Sequence, residues 1–168
     1  MKSIIICAAK TGGHIFPALS FAREALKKNY RVTFLGTNTD LEKKVFQQNE
    51  NIDFIKFELD GFRGKSITQK LTFLIKLPLI FFQAMSIIIL RNVSSVVCFG
   101  GFITVPVGFA CIVSLRKLYL HEQNSVVGSS NKLLSMFAKK MFTAFPVSKN
   151  KKYFFIGNPA GNLGAKDF

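Results

Sequence analysis

Two glycine pairs and one histidine are the residues of this chain best suited to chemistry. Gly12-Gly13 directly precedes His14, and Pro17 follows where the pattern predicts the first turn of a helix. Glycines let backbone N–H groups approach an anion closely, and a helix N-terminus carries unpaired donors and partial positive charge. Histidine exchanges a proton near neutral pH. This stretch therefore predicts a phosphate-binding turn with a proton acceptor beside it.

The second glycine pair, Gly100-Gly101, follows an apolar run that ends at Phe99. One such pair is often only a tight turn, but two pairs at equivalent strand ends favour a ligand site. A nicotinamide or flavin site is disfavoured, because residues 9–13 lack G-x-G-x-x-G spacing and no acidic residue ends the strand at Leu35.

The histidines and cysteines predict no metal centre. His14 and His121 are the only two histidines, and neither has neighbours at metal-ligand spacing. We expect His121 to be a strand-end residue that is hydrogen-bonded to backbone. Cys7, Cys98 and Cys111 lie in apolar runs without C-x-x-C spacing, which predicts reduced core thiols and a reducing cytoplasm.

Alternating strands and helices are expected to position these residues. Seven short apolar runs predict buried strands, at residues 4–8, 32–35, 52–57, 93–99, 117–120, 140–142 and 153–156. An amphipathic pattern predicts a helix over residues 16–28, and Thr39 with Glu42 has the capping-box spacing of a second helix from Asp40 to about Asn49. This order predicts an α/β fold, a doubly wound parallel sheet that binds ligands at the carboxyl ends of its strands.

The length of 168 residues predicts one domain, and the formal charge of +14 favours an anionic partner. The sign of the charge alone leaves nucleic acid, an acidic membrane, a phosphorylated ligand and a merely solvated basic surface open. Nucleic acid is disfavoured, because the lysines do not cluster with exposed aromatic residues. The first apolar run has only the length of a strand, which argues against a secretory signal.

The apolar segment over residues 71–90 is long enough to raise the question of a membrane span. Lys76 and Pro78 argue against a span, and we predict two helices separated at Pro78. The first helix would present a basic apolar membrane patch, or its residues would simply cover the sheet. The predicted patch comprises Lys65, Lys70, Phe73, Leu74, Lys76 and Leu77.

Five motifs in order resemble the N-terminal half of the MurG family of bacterial glycosyltransferases, glycosyltransferase family 28. They are residues 11–19, 61–65, 100–102 and 121–124, and Phe145-Pro146 with residues 157–159. The resemblance implies a Rossmann-like lobe of a two-lobed GT-B enzyme, with residues 1–159 as the acceptor-binding, membrane-facing domain. Residues 160–168 would be a truncated tail, and the C-terminal donor domain would be absent.

The resemblance also implies a reaction and a location. Members of the family transfer N-acetylglucosamine from UDP-N-acetylglucosamine to undecaprenyl-pyrophosphoryl-muramoyl-pentapeptide, at the cytoplasmic face of the bacterial inner membrane. No cofactor is implied. Carried over by position, His14 would be the general base, while Thr11, Gly12, Gly13 and Asn124 would contact the donor. Gly100 and Gly101 would hold the acceptor pyrophosphate, and Glu122 and Gln123 would line the cleft.

Two departures from the family pattern concern the donor side. Ala9-Lys10 stands where the family has Gly-Gly, and Gly161 stands where the family has an arginine that helps to bind the donor. A chain without the second lobe would lack a complete donor site, so we expect activity to need a separate donor-lobe chain. The alternatives are a non-catalytic, membrane-associated module that binds lipid pyrophosphate, and a gene remnant.

Overall fold

The computed structural model describes residues 1–9, 11–58, 67–147 and 151–159, with the side chains of 67–71 left out. Within these ranges seven strands form one parallel sheet in the order β3-β2-β1-β4-β5-β6-β7. The strands are β1 (Ser3–Cys7), β2 (Arg31–Gly36), β3 (Asp53–Lys56), β4 (Val93–Cys98), β5 (Lys117–Glu122), β6 (Lys140–Thr143) and β7 (Tyr153–Phe155). The chain builds one side of the sheet first and then the other, which confirms the predicted doubly wound fold.

Five helices in the described ranges cover the sheet. They are α1 (Gly12–Lys27), α2 (Asp40–Gln47), α3 (Ile67–Leu90), α4 (Thr104–Val113) and α5 (Ser129–Leu134). Successive residues of β1 point to opposite faces, so Ile4 and Ile6 pack with α1 while Ile5 and Cys7 pack with α3 and α4. Both faces of β1 are buried, as the continuous apolar run predicts.

Helix α3 corrects the prediction of two helices. It is one helix of 24 residues with Pro78 inside it. Apolar side chains at helical spacing, on both sides of Pro78 in the chain, form a stripe that packs against the main core. They are Phe73, Leu77, Ile80, Ala84 and Ile88. Proline inside a helix costs about 3 kcal/mol. Burying a large apolar side chain stabilises by about 1.5 to 3 kcal/mol, so the stripe outweighs the proline.

The same helix corrects part of the predicted membrane patch. Phe73 and Leu77 are half-buried against the core rather than exposed, and the Phe73 ring meets Phe102 edge-on at 5.7 Å between centroids. Lys76 is half-buried, and its Nζ donates to the Glu58 carbonyl at 3.0 Å. Leu74 is exposed as predicted. Lys65 and the side chain of Lys70 lie outside the described residues.

The three cysteines are free and buried, as predicted. Cys7 and Cys98 are paired in register on neighbouring strands. A hydrogen bond with Cys7, together with burial, raises the pKa of the Cys98 thiol well above its ordinary value. Burial also raises the pKa of Cys111, to about 12. These thiols are therefore core side chains rather than nucleophiles.

Candidate active site

The two glycine turns meet at the carboxyl edge of the sheet, between β1 and β4. These neighbouring strands mark the point where the strand order reverses, which is the usual ligand crevice of such a sheet. Gly100 has φ +101° and Gly101 has φ +91°, backbone conformations that residues other than glycine rarely adopt. A Cβ on Gly100 would lie 2.7 Å from His14 Cδ2 and 2.8 Å from His14 Nε2. Glycine at position 100 thus allows the imidazole to lie directly on the second turn.

Ala9 occupies a place where the family has glycine, yet it is compatible with this close packing. Ala9 is fully buried, and its Cβ lies 3.2 Å from the position that a Cβ on Gly101 would take. Gly101 therefore supplies the space that the Ala9 side chain fills. The other departures, Lys10 and Gly161, lie outside the described residues.

His14 lies in the first turn of α1 with one ring nitrogen engaged. Its Nδ1 is 2.6 Å from the Thr11 hydroxyl oxygen, and Thr11, at the N-cap, makes no side-chain cap bond. Nε2 is on the ring edge that faces Gly100, and it has no hydrogen-bond partner in the described part of the chain. Burial lowers the pKa of His14 below its ordinary value, and the negative charge of Glu122 opposes that shift. The ring is thus a neutral proton acceptor near neutral pH.

Gly12 and Gly13 form the start of α1, where the first N–H groups of a helix have no intrahelical partner. The helix has no acidic residue in its first turn. Thr11 and Gly13 are exposed at this end. The turn therefore offers free donors and partial positive charge to an anion, as its sequence predicts.

Glu122 ends β5 and organises the loop that follows. It is only 1% exposed, and its carboxylate accepts four hydrogen bonds from neutral donors. The donors are Asn124 N at 3.0 Å, Asn124 Nδ2 at 2.9 Å, Gly128 N at 2.9 Å and Asn131 Nδ2 at 2.9 Å. Glu122 is therefore a buried carboxylate at the carboxyl end of β5, and its own oxygens are already engaged.

The neighbours of Glu122 differ in what they can offer a ligand. Asn124 is exposed, and because its Nδ2 bonds Glu122, its Oδ1 is left to accept from a ligand. Gln123 is buried, and its Oε1 has no hydrogen-bond partner in the described structure. Asn131, which the sequence analysis missed, donates to the His121 carbonyl at 3.0 Å as well as to Glu122. A lone asparagine in a short polar segment carries no signal that sequence reasoning could use.

His121 has the backbone partner that was expected of it. Its Nε2 is 3.5 Å from the Gly157 carbonyl oxygen, and its ring packs against Phe99 at an interplanar angle of 33°, with centroids 5.1 Å apart. It is buried, which lowers its pKa. Nδ1 has no partner within the described residues. The ring faces the α1 side of the sheet, where it lines an apolar pocket with Phe21, Phe99 and Phe142.

Comparison with known proteins decides the family. Residues 4–143 match the glycosyltransferase family 28 N-terminal domain. The chain belongs to glycosyltransferase family 28. Two curated relatives are both named UDP-N-acetylglucosamine--N-acetylmuramyl-(pentapeptide) pyrophosphoryl-undecaprenol N-acetylglucosamine transferase. The one from Sulfurihydrogenibium sp. is 38% identical over 92% of this chain, and the one from Acidithiobacillus ferrooxidans is 36% identical over 94%.

Solved structures place this family 28 domain within the GT-B glycosyltransferases. The Acinetobacter baumannii MurG crystal structure superposes with a TM-score of 0.82 at 31% identity, over 94% of this chain and 46% of that one. A glycotransferase of kitacinnamycin, at 11% identity and a TM-score of 0.69, shares the fold alone. The chain spans 43% of the length of the two curated relatives.

Proposed function

We propose that this chain is the acceptor-side half of a transferase that moves N-acetylglucosamine from UDP-N-acetylglucosamine to undecaprenyl-pyrophosphoryl-muramoyl-pentapeptide. The observation that carries the proposal is the meeting of His14 with both glycine turns at the switch point of a family 28 domain. The proposed donor and acceptor are those named for the two curated relatives. Transfer by this domain requires a donor-binding half, supplied by the same or a separate polypeptide.

His14 takes the proton in this scheme. The acceptor hydroxyl oxygen forms a bond to C1 of the sugar as the bond from C1 to the UDP oxygen breaks, and UDP leaves with the electron pair. The hydroxyl proton passes to Nε2 of His14, the ring nitrogen left without a partner in the described structure. Gly100 and Gly101 lie beside the acceptor pyrophosphate, while Thr11, Gly12, Gly13 and Asn124 face the donor.

The reaction test combines this chain with the C-terminal half of the Sulfurihydrogenibium relative, and measures sugar transfer to the lipid-linked acceptor. His14→Ala should lower kcat by about 10² to 10⁴, the usual effect of losing a general base. His121→Ala is the matched control, because it removes a buried ring outside the cleft and should cost stability more than turnover. An unchanged kcat in His14→Ala would contradict the assigned role.

The second part of the proposal is peripheral attachment to the cytoplasmic face of the inner membrane. Helix α3 has a continuous exposed apolar face, formed by Leu74, Ile75, Leu79 and Phe82, which we call the α3 face. By length and composition Thr72–Leu90 could cross a bilayer, but this criterion is also met by helices of soluble proteins. Ile80, Ala84 and Ile88 are buried against the sheet and α4, so a span would expose core. This supports surface attachment.

Vesicle sedimentation tests the α3 face. The wild-type chain should bind anionic vesicles, and binding should weaken with salt, because lysines near the surface add about 1 kcal/mol each to apolar insertion. Leu74→Ser with Phe82→Ser should release the protein from the vesicles while circular dichroism stays native. Val126→Ser with Phe155→Ser is the matched control, since both residues are exposed but lie outside α3. Equal binding by the two double variants would overturn this part of the proposal.

A further inference from the structure

Glu122 and His14 belong to different segments but converge on Gly100. The position of a Cβ on Gly100 is 2.8 Å from His14 Nε2 and 3.8 Å from Asn131 Nδ2. The same Asn131 nitrogen donates to Glu122 Oε2 at 2.9 Å. The carboxylate is thus separated from the proton-accepting edge of the imidazole by one glycine and one amide group.

The Glu122 carboxylate has no cationic partner among the described residues. All four of its hydrogen-bond donors are neutral, and in the described residues it forms no ion pair. Among the described residues, the other groups near the ring and the Gly100 turn are uncharged, namely Thr11 before α1, Gly100 after β4 and Asn131 in α5. Because the Glu122 side chain is buried, solvent screens its charge less than it would screen a charge at the surface.

We infer that Glu122 is a positioning residue for His14, which stabilises the imidazolium that forms when His14 accepts a proton. It acts through its field and without a hydrogen bond to the ring, since the Nδ1 position is taken by the Thr11 hydroxyl. In the imidazolium, Nδ1–H donates to Thr11, and the Nε2–H edge lies in the field of the carboxylate. The surroundings of the ring are therefore complementary to its charged form, although burial favours the neutral form.

The inference rests on the proposed function for its catalytic meaning, but it can be tested on this chain alone. His14 and His121 are the only two histidines, so imidazole signals in an NMR titration can be assigned with His14→Ala and His121→Ala. The charge of Glu122 raises the pKa of both rings against the effect of burial. In Glu122→Gln both titration midpoints should therefore move to lower pH.

The sign of the shift separates a field from a structural effect. If Glu122 only held the loop together, its loss would loosen the site, expose the rings and move both midpoints up towards the ordinary histidine value. Glu42→Gln is the matched control, because Glu42 is also a fully buried carboxylate but its charge does not contribute to the pKa shift of either ring, and it should leave both midpoints unchanged. A midpoint of His14 that is unchanged or higher in Glu122→Gln would overturn the inference.

Two further measurements cover a variant that fails to fold. Glu122→Asp keeps the negative charge, so the midpoint of the His14 titration should stay close to its wild-type value. In the wild-type chain, the ¹³C carboxyl signal of Glu122 should move as His14 takes up its proton, and a signal that does not move would overturn the inference. A lowered midpoint in Glu122→Gln combined with full turnover in His14→Ala would refute the assigned base while leaving the field intact.

Discussion

Two corners of the sheet each contain a buried glutamate, but they serve different ends. At the β2–α2 corner, Glu42 accepts from Thr37 N and Thr39 N at 2.9 Å each, and Thr39 in turn accepts from Glu42 N at 3.3 Å. At the β5–α5 corner, Glu122 accepts from Asn124, Gly128 and Asn131. These Glu42 contacts close one helix end, whereas the Glu122 contacts hold a longer loop beside His14.

This comparison shows that burial of a carboxylate does not by itself mark a functional site. Glu42 completes a capping box, so its charge faces the N-terminus of its own helix. Glu122 faces residues from other parts of the chain, including a buried asparagine amide and a histidine ring. The neighbouring histidine ring, rather than the burial, distinguishes the Glu122 corner from the Glu42 corner.

The largest expected difference between the corners is in stability. Glu122→Ala leaves donors from three residues without their acceptor, and Asn131 is too deeply buried to find water. We expect the free energy of unfolding to fall by about 2 to 4 kcal/mol, because losing a charged acceptor costs the buried Asn131 amide about 1.5 to 3 kcal/mol, whereas water can replace the carboxylate at the exposed Asn124 and Gly128. Glu42→Ala should cost less, because its Thr37 and Thr39 donors are only half-buried and can bond water instead. Urea unfolding measures both, and equal losses would remove the distinction.

Glycine-to-alanine changes test the same corners through the backbone. In Gly100→Ala the new methyl group would meet the His14 ring at 2.7 Å, at φ +101°. The combined strain should cost about 2 to 3 kcal/mol and displace the ring. In Gly36→Ala, at the end of β2, the nearest atom is Cε2 of the half-buried Phe54 ring, and the φ of Gly36 is not in the left-handed range. We expect Gly36→Ala to lower the unfolding temperature less than Gly100→Ala does. The reverse order would show that the Gly100 turn accommodates a side chain at little cost.

The two N-cap threonines predict a smaller difference. Thr39 accepts from Glu42 N, whereas Thr11 bonds the His14 ring and makes no side-chain cap bond. Thr39→Ala should therefore cost about 1 kcal/mol of unfolding free energy. Thr11→Ala should cost clearly less but change the ¹⁵N shifts of the His14 imidazole. A larger stability loss for Thr11→Ala would mean that its hydroxyl supports the helix after all.

The smallest effect is a pH dependence that belongs to the β5–α5 side. Burial lowers the pKa of both His14 and His121 below 6.5, so just below that pH the unfolded chain binds more protons than the folded one. The free energy of unfolding should fall as the pH is lowered from 6.5 towards the folded-state pKa values, and recover as it is raised. The double variant His14→Gln with His121→Gln should lose this component in urea unfolding across that window. If the unfolding free energy of the double variant still depended on pH in this window, that dependence would belong to other titratable groups.

The sequence predicted what depends on local patterns. The strands, the capping box at Thr39 and Glu42, and the glycine turns were all predicted because spacing within a few residues determines them. The continuity of α3 through Pro78 was not, because long-range packing of its apolar stripe decides it. Asn131 and the field of Glu122 were missed for the same reason: only the folded sheet brings α5, β5 and the first turn of α1 together.

The strand order also has a consequence for how the chain folds during synthesis. β4 joins the free edge of β1, and from β5 onward each new strand joins the strand before it, so at no step does a later strand insert between two paired ones. Parallel pairing is slow because each pair must first close a long crossover, but here the closures can follow the order in which the ribosome delivers the strands. Every residue of the His14–Glu122 neighbourhood lies before β6. Folding can therefore assemble that neighbourhood before β6 and β7 complete the sheet.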